Sequence, residues 1–146
     1  MPIIALASFF LITITVLLHY EVLSMLNRLL PALNIPSRTK LLVVVFAAFV
    51  AHLAEMVIYG AAMYLLIEYA GIGSLRGFEN ASFINCIYFS AETYTLLGFG
   101  DIAPVGPVRL LAGLEALNGL LLIGWSASYV TIAMERFWRE EGLNNH

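Results

Sequence analysis

A short irregular stretch between long apolar segments constrains this chain more than any other feature of its sequence. Residues 90–104 read S-A-E-T-Y-T-L-L-G-F-G-D-I-A-P, and they leave no room for a further membrane crossing. Backbone that is neither helix nor closed sheet is tolerated at membrane depth only where protein buries it or where it lines a watery path. The stretch is therefore the first candidate for a functional site.

The composition predicts an integral membrane protein. Of the 146 residues, 61% are hydrophobic and 12% are charged, and the mean hydropathy is +0.89. Soluble domains carry about twice that share of charged residues. The net charge of -3 and the scattered basic residues leave no surface for nucleic acid. The single cysteine, Cys86, excludes a disulfide framework within one chain.

Three apolar segments are long enough to cross a hydrocarbon core, which needs about 20 helical residues. They are residues 3–26, 41–69 and 107–138. Residues 27–40, with two prolines and three basic residues, predict a short cytoplasmic loop. Residues 82–95 are too short to span and predict a re-entrant helix. The first segment starts uncharged and lacks a cleavage site, so we expect it to remain in the mature protein.

The basic residues predict the orientation, because Lys and Arg in short loops are retained on the cytoplasmic side. Two of the seven, Arg76 and Arg109, fall on one side of the apolar segments. We therefore expect the N-terminus outside and the C-terminus in the cytoplasm, in a plasma or inner membrane. The five on the other side are Arg28, Arg38, Lys40, Arg136 and Arg139.

The irregular stretch resembles the pore of potassium channels, whose filter loop reads T-V-G-Y-G and is usually followed by Asp. Residues 92–95 resemble the end of the family's pore helix, and Asp101 and Pro104 also match. The resemblance extends over residues 88–138. It implies an inner-helix hinge at Gly119 and Gly124. The filter that it implies comprises Thr95, Leu96, Leu97, Gly98, Phe99 and Gly100.

The resemblance implies passive conduction of potassium, or less selectively of small cations, through a ring of backbone carbonyls. One loop supplies only one side of such a ring, so a homotetramer in the lipid bilayer is implied. The expected fold class is an all-α membrane protein with three transmembrane helices, a re-entrant pore helix, a filter loop and a tetrameric pore. We expect no enzymatic activity and no cofactor, with potassium ions as the permeant species.

The chain divides into three parts. Residues 1–40 form an N-terminal transmembrane helix and a basic cytoplasmic loop, and residues 139–146 form a short C-terminal tail. Residues 41–138 supply the outer helix, pore helix, filter and inner helix. The simplest members of the family have one helix before the pore helix, whereas this chain has two.

Within the filter, one residue departs from the family. Gly98 and Gly100 suit a filter, because alternate residues there adopt backbone angles that side chains resist. At Leu96 the family usually has Thr, whose hydroxyl completes the innermost ion site. Four leucines would form an apolar collar, and hydrophobic constrictions block conduction by dewetting. Phe99 in place of Tyr is a smaller departure.

Tyr88 and Glu92 lie four residues apart and therefore share a helix face, which is expected to support the filter near Asp101. Because like charges held close raise one pKa, a protonated Glu92 beside an ionised Asp101 is predicted. This arrangement resembles the clamp behind some filters of the family. The alternative for Asp101 is a solvated turn carboxylate.

His52 and Glu55 lie three residues apart near the middle of the second span. Intramembrane ionisable groups need partners, because unpaired charge in lipid is costly. The favoured interpretation is a structural hydrogen bond to Glu115 or Asn118 of the third span.

Two other functions compete with conduction. A non-conducting pore-loop protein would use His52, Glu55 and Glu115 as a proton or metal site. His19 and Glu21 are weaker candidates for that site, since they are expected near the cytoplasmic end of the first span, where long side chains reach water. A regulatory subunit without conduction of its own is the third hypothesis.

Overall fold

The computed structural model describes residues 2–77 and 82–144. Within these residues the chain forms four α-helices joined by short connections. A 3-10 turn, Leu30–Ala32, follows the first helix, and two three-residue strands, β1 (Ser74–Arg76) and β2 (Ala103–Val105), flank the third. The helices are α1 (Pro2–Leu29), α2 (Ser37–Glu68), α3 (Phe83–Tyr94) and α4 (Val108–Asn144).

Three of these helices, α1, α2 and α4, are long and apolar enough to cross a membrane. At 1.5 Å per residue the 32 residues of α2 extend about 48 Å, more than the roughly 30 Å hydrocarbon core. The 12 residues of α3 extend only about 18 Å. The predicted all-α membrane protein with three spanning helices is confirmed.

The basic connection between α1 and α2 is shorter than predicted. Arg28 lies in the last turn of α1, and α2 starts at Ser37, so only residues 33–36 lie outside helical structure. The residue before a proline avoids α-helical geometry, and α1 ends just ahead of Pro31. Pro31 instead lies at the start of the 3-10 turn, where a proline is tolerated because the first N–H groups of a helix have no partner within it. The boundary at the other end of the chain also differs from the prediction: α4 continues helically through residue 139, where the C-terminal tail was expected to begin.

The strands on either side of α3 were not predicted. They pair antiparallel, with Leu75 opposite Pro104, and so join the two chain segments that flank the irregular stretch. Beyond β1, Gly77 has a φ of 119°, and a side chain there would collide with the carbonyl oxygen of Asp101. The pairing therefore holds the segment that follows α2 beside the segment that precedes α4.

Two apolar clusters occupy opposite ends of the helix bundle. Leu26, Val44 and Phe137 belong to one of them, which places the α1–α2 connection and the C-terminal part of α4 at the same end. The other cluster surrounds α3. It includes Ile4, Leu11, Met63, Leu75, Phe89 and Leu111.

Helix α3 lies between α2 and α4, and both neighbours present a glycine to it. A Cβ added at Gly60 of α2 would lie 2.7 Å from the Cα of Ile87. A Cβ at Gly119 of α4 would collide with the carbonyl oxygen of Tyr94 at the end of α3. The two glycines therefore allow α3 to sit close to both spanning helices.

We expect Gly60→Val to lower the free energy of unfolding by about 1–3 kcal/mol, because the side chain would overpack the backbone of Ile87. Gly113→Val on α4 is the matched control. A Cβ there meets nothing within 4 Å, so the change should stay within about 0.5 kcal/mol. Thermal unfolding of both variants in one detergent checks this, and equal shifts would contradict the close approach of α3.

Candidate functional site

A loop with three positive φ angles leaves the end of α3, and we call residues 95–101 the glycine loop. Gly98 has a φ of 51° and Gly100 a φ of 81°. Leu96 also has a positive φ of 60°, in the position just beyond a helix end that glycine usually occupies. The left-handed conformation costs a non-glycine residue about 1–2 kcal/mol. Leu96 therefore adopts a backbone conformation that is unfavourable for a leucine.

Glu92 holds the glycine loop against α3 with both its backbone and its side chain. The N–H of Gly98 donates to the carbonyl oxygen of Glu92 at 3.2 Å, and the N–H of Phe99 donates to Glu92 Oε2 at 3.1 Å. In a planar trans peptide the N–H and the preceding C=O point in opposite directions. The carbonyls of Leu97 and Gly98 are therefore directed away from α3.

Among the residues that the structure describes, none covers the apolar side chains of the glycine loop or fills the space beside its glycines. Leu96, Leu97 and Phe99 are 53%, 63% and 67% exposed. A Cβ added at Gly98 or Gly100 would meet nothing within 4 Å. The loop thus presents two backbone oxygens on an open surface lined by apolar side chains.

The three residues expected to support the loop lie together. The Tyr88 hydroxyl donates to Asp101 Oδ2 at 3.2 Å, and the Tyr88 ring stacks on Phe99 with centroids 6.5 Å apart. Burial raises the pKa of Glu92; the hydrogen bond from the Phe99 N–H opposes this rise, and the neighbouring Asp101 carboxylate adds to it. This direction favours the protonated Glu92 that the sequence predicts.

A second group of polar side chains lies buried behind the loop, at the level of the end of α3. We call it the polar cluster: His19, His52, Glu55, Tyr94 and Ser126. Glu55 is completely buried, and its Oε1 lies 2.9 Å from His19 Nδ1. Its Oε2 lies 3.1 Å from His52 Nδ1 and accepts a hydrogen bond from the Tyr94 hydroxyl. One carboxylate therefore links α1, α2 and α3.

The expectation for His19 is wrong. His19 is completely buried and bonded to Glu55, not at a helix end within reach of water. The reason is that α1 continues for a further ten residues to Leu29, so His19 lies well inside the bundle. Glu21, on another face of α1, is exposed and lies outside the cluster.

Ser126 of α4 closes the polar cluster on its other side. Its Oγ lies 3.0 Å from His19 Nε2 and 3.1 Å from His52 Nε2. The two imidazole rings are 5.0 Å apart. Sequence reasoning missed Ser126, because a single serine in an apolar helix carries no signal, and it assigned Tyr94 only to the end of the pore helix.

The partners predicted for His52 and Glu55 are wrong, although interhelical hydrogen bonding itself is present. Asn118 donates to Thr15 Oγ1 at 2.8 Å and to the Tyr59 hydroxyl oxygen at 3.1 Å. Glu115 accepts from the Ser90 hydroxyl. Glu115 does not reach His52 or Glu55 because α3 lies between α2 and α4. Ser90 of α3 occupies this position, and its Oγ is also 2.8 Å from the Met56 carbonyl oxygen.

The two glycines expected to form a hinge have different surroundings. Gly119 faces Tyr94, as described above, whereas a Cβ at Gly124 would meet nothing within 4 Å. Helix α4 is continuous through both. Close packing against α3 accounts for Gly119, and bending at either glycine stays a prediction.

Three residues of the polar cluster could hold a metal ion. One ligand atom from each of His19, His52 and Glu55 lies within 4.8 Å of the other two. Glu115, which the sequence analysis grouped with His52 and Glu55, is not among them. The chemical capacity of this region therefore includes metal ligation by two imidazoles and a carboxylate.

Comparison with known proteins identifies the family. Residues 40–136, about two thirds of the chain, match a family model described as ion channel. The chain belongs to this family, of the two-transmembrane potassium-channel type, and the predicted resemblance is confirmed.

A similar curated protein is the inward rectifier potassium channel Kirbac3.1 of Paramagnetospirillum magnetotacticum, with 29% identity over 91 residues. The alignment covers 62% of this chain but only 31% of the relative. No solved structure matches the chain significantly.

The raised pKa of Glu92 predicts a pH dependence of stability. A carboxyl whose folded-state pKa is raised contributes its stability fully below the usual value of 4.5 and loses it as the pH rises through the folded-state pKa. Glu92→Gln cannot ionise, yet its amide oxygen can accept from Phe99. As the pH rises above 4.5, the melting temperature of wild type should therefore fall relative to that of Glu92→Gln. A constant difference between the two would contradict the shift.

Proposed function

We propose that the protein conducts potassium passively through a homotetrameric pore in which residues 95–100 form the selectivity filter. The observation that carries this proposal is the direction of the loop's peptide groups. Glu92 binds the N–H groups of Gly98 and Phe99, so the carbonyls of Leu97 and Gly98 face away from α3. Membership of an ion channel family supports the same function.

The carbonyls explain how a cation would pass. A dehydrated potassium ion needs oxygen ligands in place of its water, and a filter offers backbone carbonyls arranged around an axis. One glycine loop supplies oxygens from one side only. Four copies around a fourfold axis complete the ring, and the closed symmetry satisfies every copy equally.

The open surface of the loop supports the assembly. Leu96, Leu97 and Phe99 are more than half exposed in the single chain. In a tetramer this face lies at the centre, where neighbouring copies cover it. The glycine loop then opens to the outside of the cell, as the distribution of basic residues predicts.

Leu96 sets the barrier at the inner end of the proposed filter. Its side chain brings no hydroxyl to the innermost ion site, and four such side chains form an apolar collar. An ion entering from inside would lose water before it gained ligands, which is unfavourable. We therefore expect slow conduction by the natural protein.

The first test is potassium flux into liposomes that contain the purified protein. Gly98→Ala should abolish flux, because alanine resists a φ of 51°. Gly71→Ala is the matched control: Gly71 also has a positive φ, of 63°, and open surroundings, but lies outside the loop. Its flux should equal that of wild type.

Native mass spectrometry in mild detergent accompanies the flux assay and should give four chains per particle. A particle of one or two chains would exclude a shared pore. Equal flux from Gly98→Ala and Gly71→Ala would show that the glycine loop is not the filter.

Two substitutions at Leu96 separate the collar from the missing hydroxyl. Leu96→Gly removes the side chain and relieves the left-handed strain, whereas Leu96→Thr adds the hydroxyl but places a branched residue at a φ of 60°. Both should raise potassium flux per folded tetramer, on the order of tenfold for a barrier change of about 1.4 kcal/mol. Leu96→Thr should discriminate better against sodium. Unchanged flux in both would favour a non-conducting protein.

A further inference from the structure

We propose that His19 and His52, with Glu55 and Tyr94, form a buried binding site for a divalent transition-metal ion of the zinc type. The site is distinct from the proposed filter, and metal binding to it does not depend on whether the pore conducts. It joins α1, α2 and the end of α3.

The donor atoms are close to the spacing that a tetrahedral ion requires. Bonds of about 2.0–2.1 Å place two ligands of a tetrahedral zinc ion roughly 3.3 Å apart. The His19 Nδ1 to Glu55 Oε1 distance is 2.9 Å, and the His52 Nδ1 to Glu55 Oε2 distance is 3.1 Å. When Glu55 binds through one of its two oxygens, the Tyr94 hydroxyl, 2.9 Å from His52 Nδ1, supplies the fourth donor. Small side-chain shifts would admit the ion.

The chemistry of this set selects the ion. Two imidazole nitrogens with oxygen donors suit zinc and its transition-metal neighbours rather than calcium or magnesium, which prefer oxygen ligands alone. Glu55 brings one negative charge, and Tyr94 would bring a second when the metal displaces its proton. A divalent ion would then leave the buried site electrically neutral, which lowers the cost of burial.

The hydrogen bonds behind the ligands carry the proposal furthest. When each Nδ1 carries the proton that it donates to Glu55, each neutral imidazole has an acceptor at Nε2. Ser126 Oγ faces both Nε2 atoms, at 3.0 and 3.1 Å, and its one hydroxyl proton can serve only one of them. With both histidines in this tautomer one Nε2 atom has no donor, whereas the other tautomer of His52, whose Nδ1 can accept from the Tyr94 hydroxyl at 2.9 Å, lets Ser126 serve both rings.

A metal ion would fix one tautomer for both rings. With the ion on both Nδ1 atoms, both Nε2 atoms carry protons, and the two lone pairs of Ser126 Oγ accept them. Metal-bound histidines almost always donate their other N–H to an oxygen acceptor, usually a carboxylate, a backbone carbonyl or water, and this fixes the ring orientation. Ser126 therefore has the position of a shared outer partner for two ligating histidines.

The test uses tag-free full-length protein in detergent, stripped with a chelator and titrated with Co²⁺ and with Zn²⁺. We expect one metal ion per chain after desalting, and a visible absorption of bound Co²⁺ typical of tetrahedral coordination. His19→Gln and Glu55→Gln should weaken binding at least tenfold. Ser126→Ala keeps all ligands and should weaken binding by about 10–100-fold, the usual effect of an outer partner.

Glu115→Gln is the matched control, because Glu115 is equally buried but bonded to Ser90. It should bind metal like wild type. Absence of stoichiometric metal on the wild-type protein would overturn the proposal. Loss of binding in Glu115→Gln equal to that in Ser126→Ala would also overturn it, because the site would then lie elsewhere.

Discussion

The buried carboxylate of Glu55 is the constraint on which the rest of the structure depends. Placing an ionisable group at the middle of an apolar bundle is unfavourable unless it is paired and hydrogen-bonded. Glu55 is bonded to His19 of α1, to His52 of its own helix and to Tyr94 at the end of α3. These bonds set the depth at which α1 and α3 stand relative to α2. The apolar clusters then pack on either side of that level.

The depth of α3 in turn decides what the glycine loop can do. Its C-terminal end is tied to Glu55 through Tyr94 and fits against Gly119 of α4, so the loop starts from a fixed point. Glu92, two residues before Tyr94, fixes the peptide groups of Gly98 and Phe99. The contacts of Glu55 with Tyr94, and of Glu92 with the glycine loop, together fix the direction of the Leu97 and Gly98 carbonyl oxygens.

The sequence predicted the class, the three spans and the family, because apolar length and an ordered motif are local signals. It did not predict the partners of Glu55. Spacing along one helix places His52 beside Glu55, but the depth of α1 relative to α2 is a tertiary property, and His19 was therefore misplaced. The strand pairing of Leu75 with Pro104 was missed for a related reason, since three-residue strands are too short to show a pattern. The positive φ of Leu96 runs against residue preference, so no propensity could have indicated it.

The first helix, α1, makes buried hydrogen bonds to both of the other spanning helices. Pore-loop channels with two spans are complete without a helix in this position, and α1 could be regarded as an addition to an existing unit. Here, however, α1 supplies His19 to Glu55 and Thr15 to Asn118. Without α1, Glu55 would keep only His52 and Tyr94, and Asn118 would keep only Tyr59, so each of these buried side chains would lose one hydrogen bond.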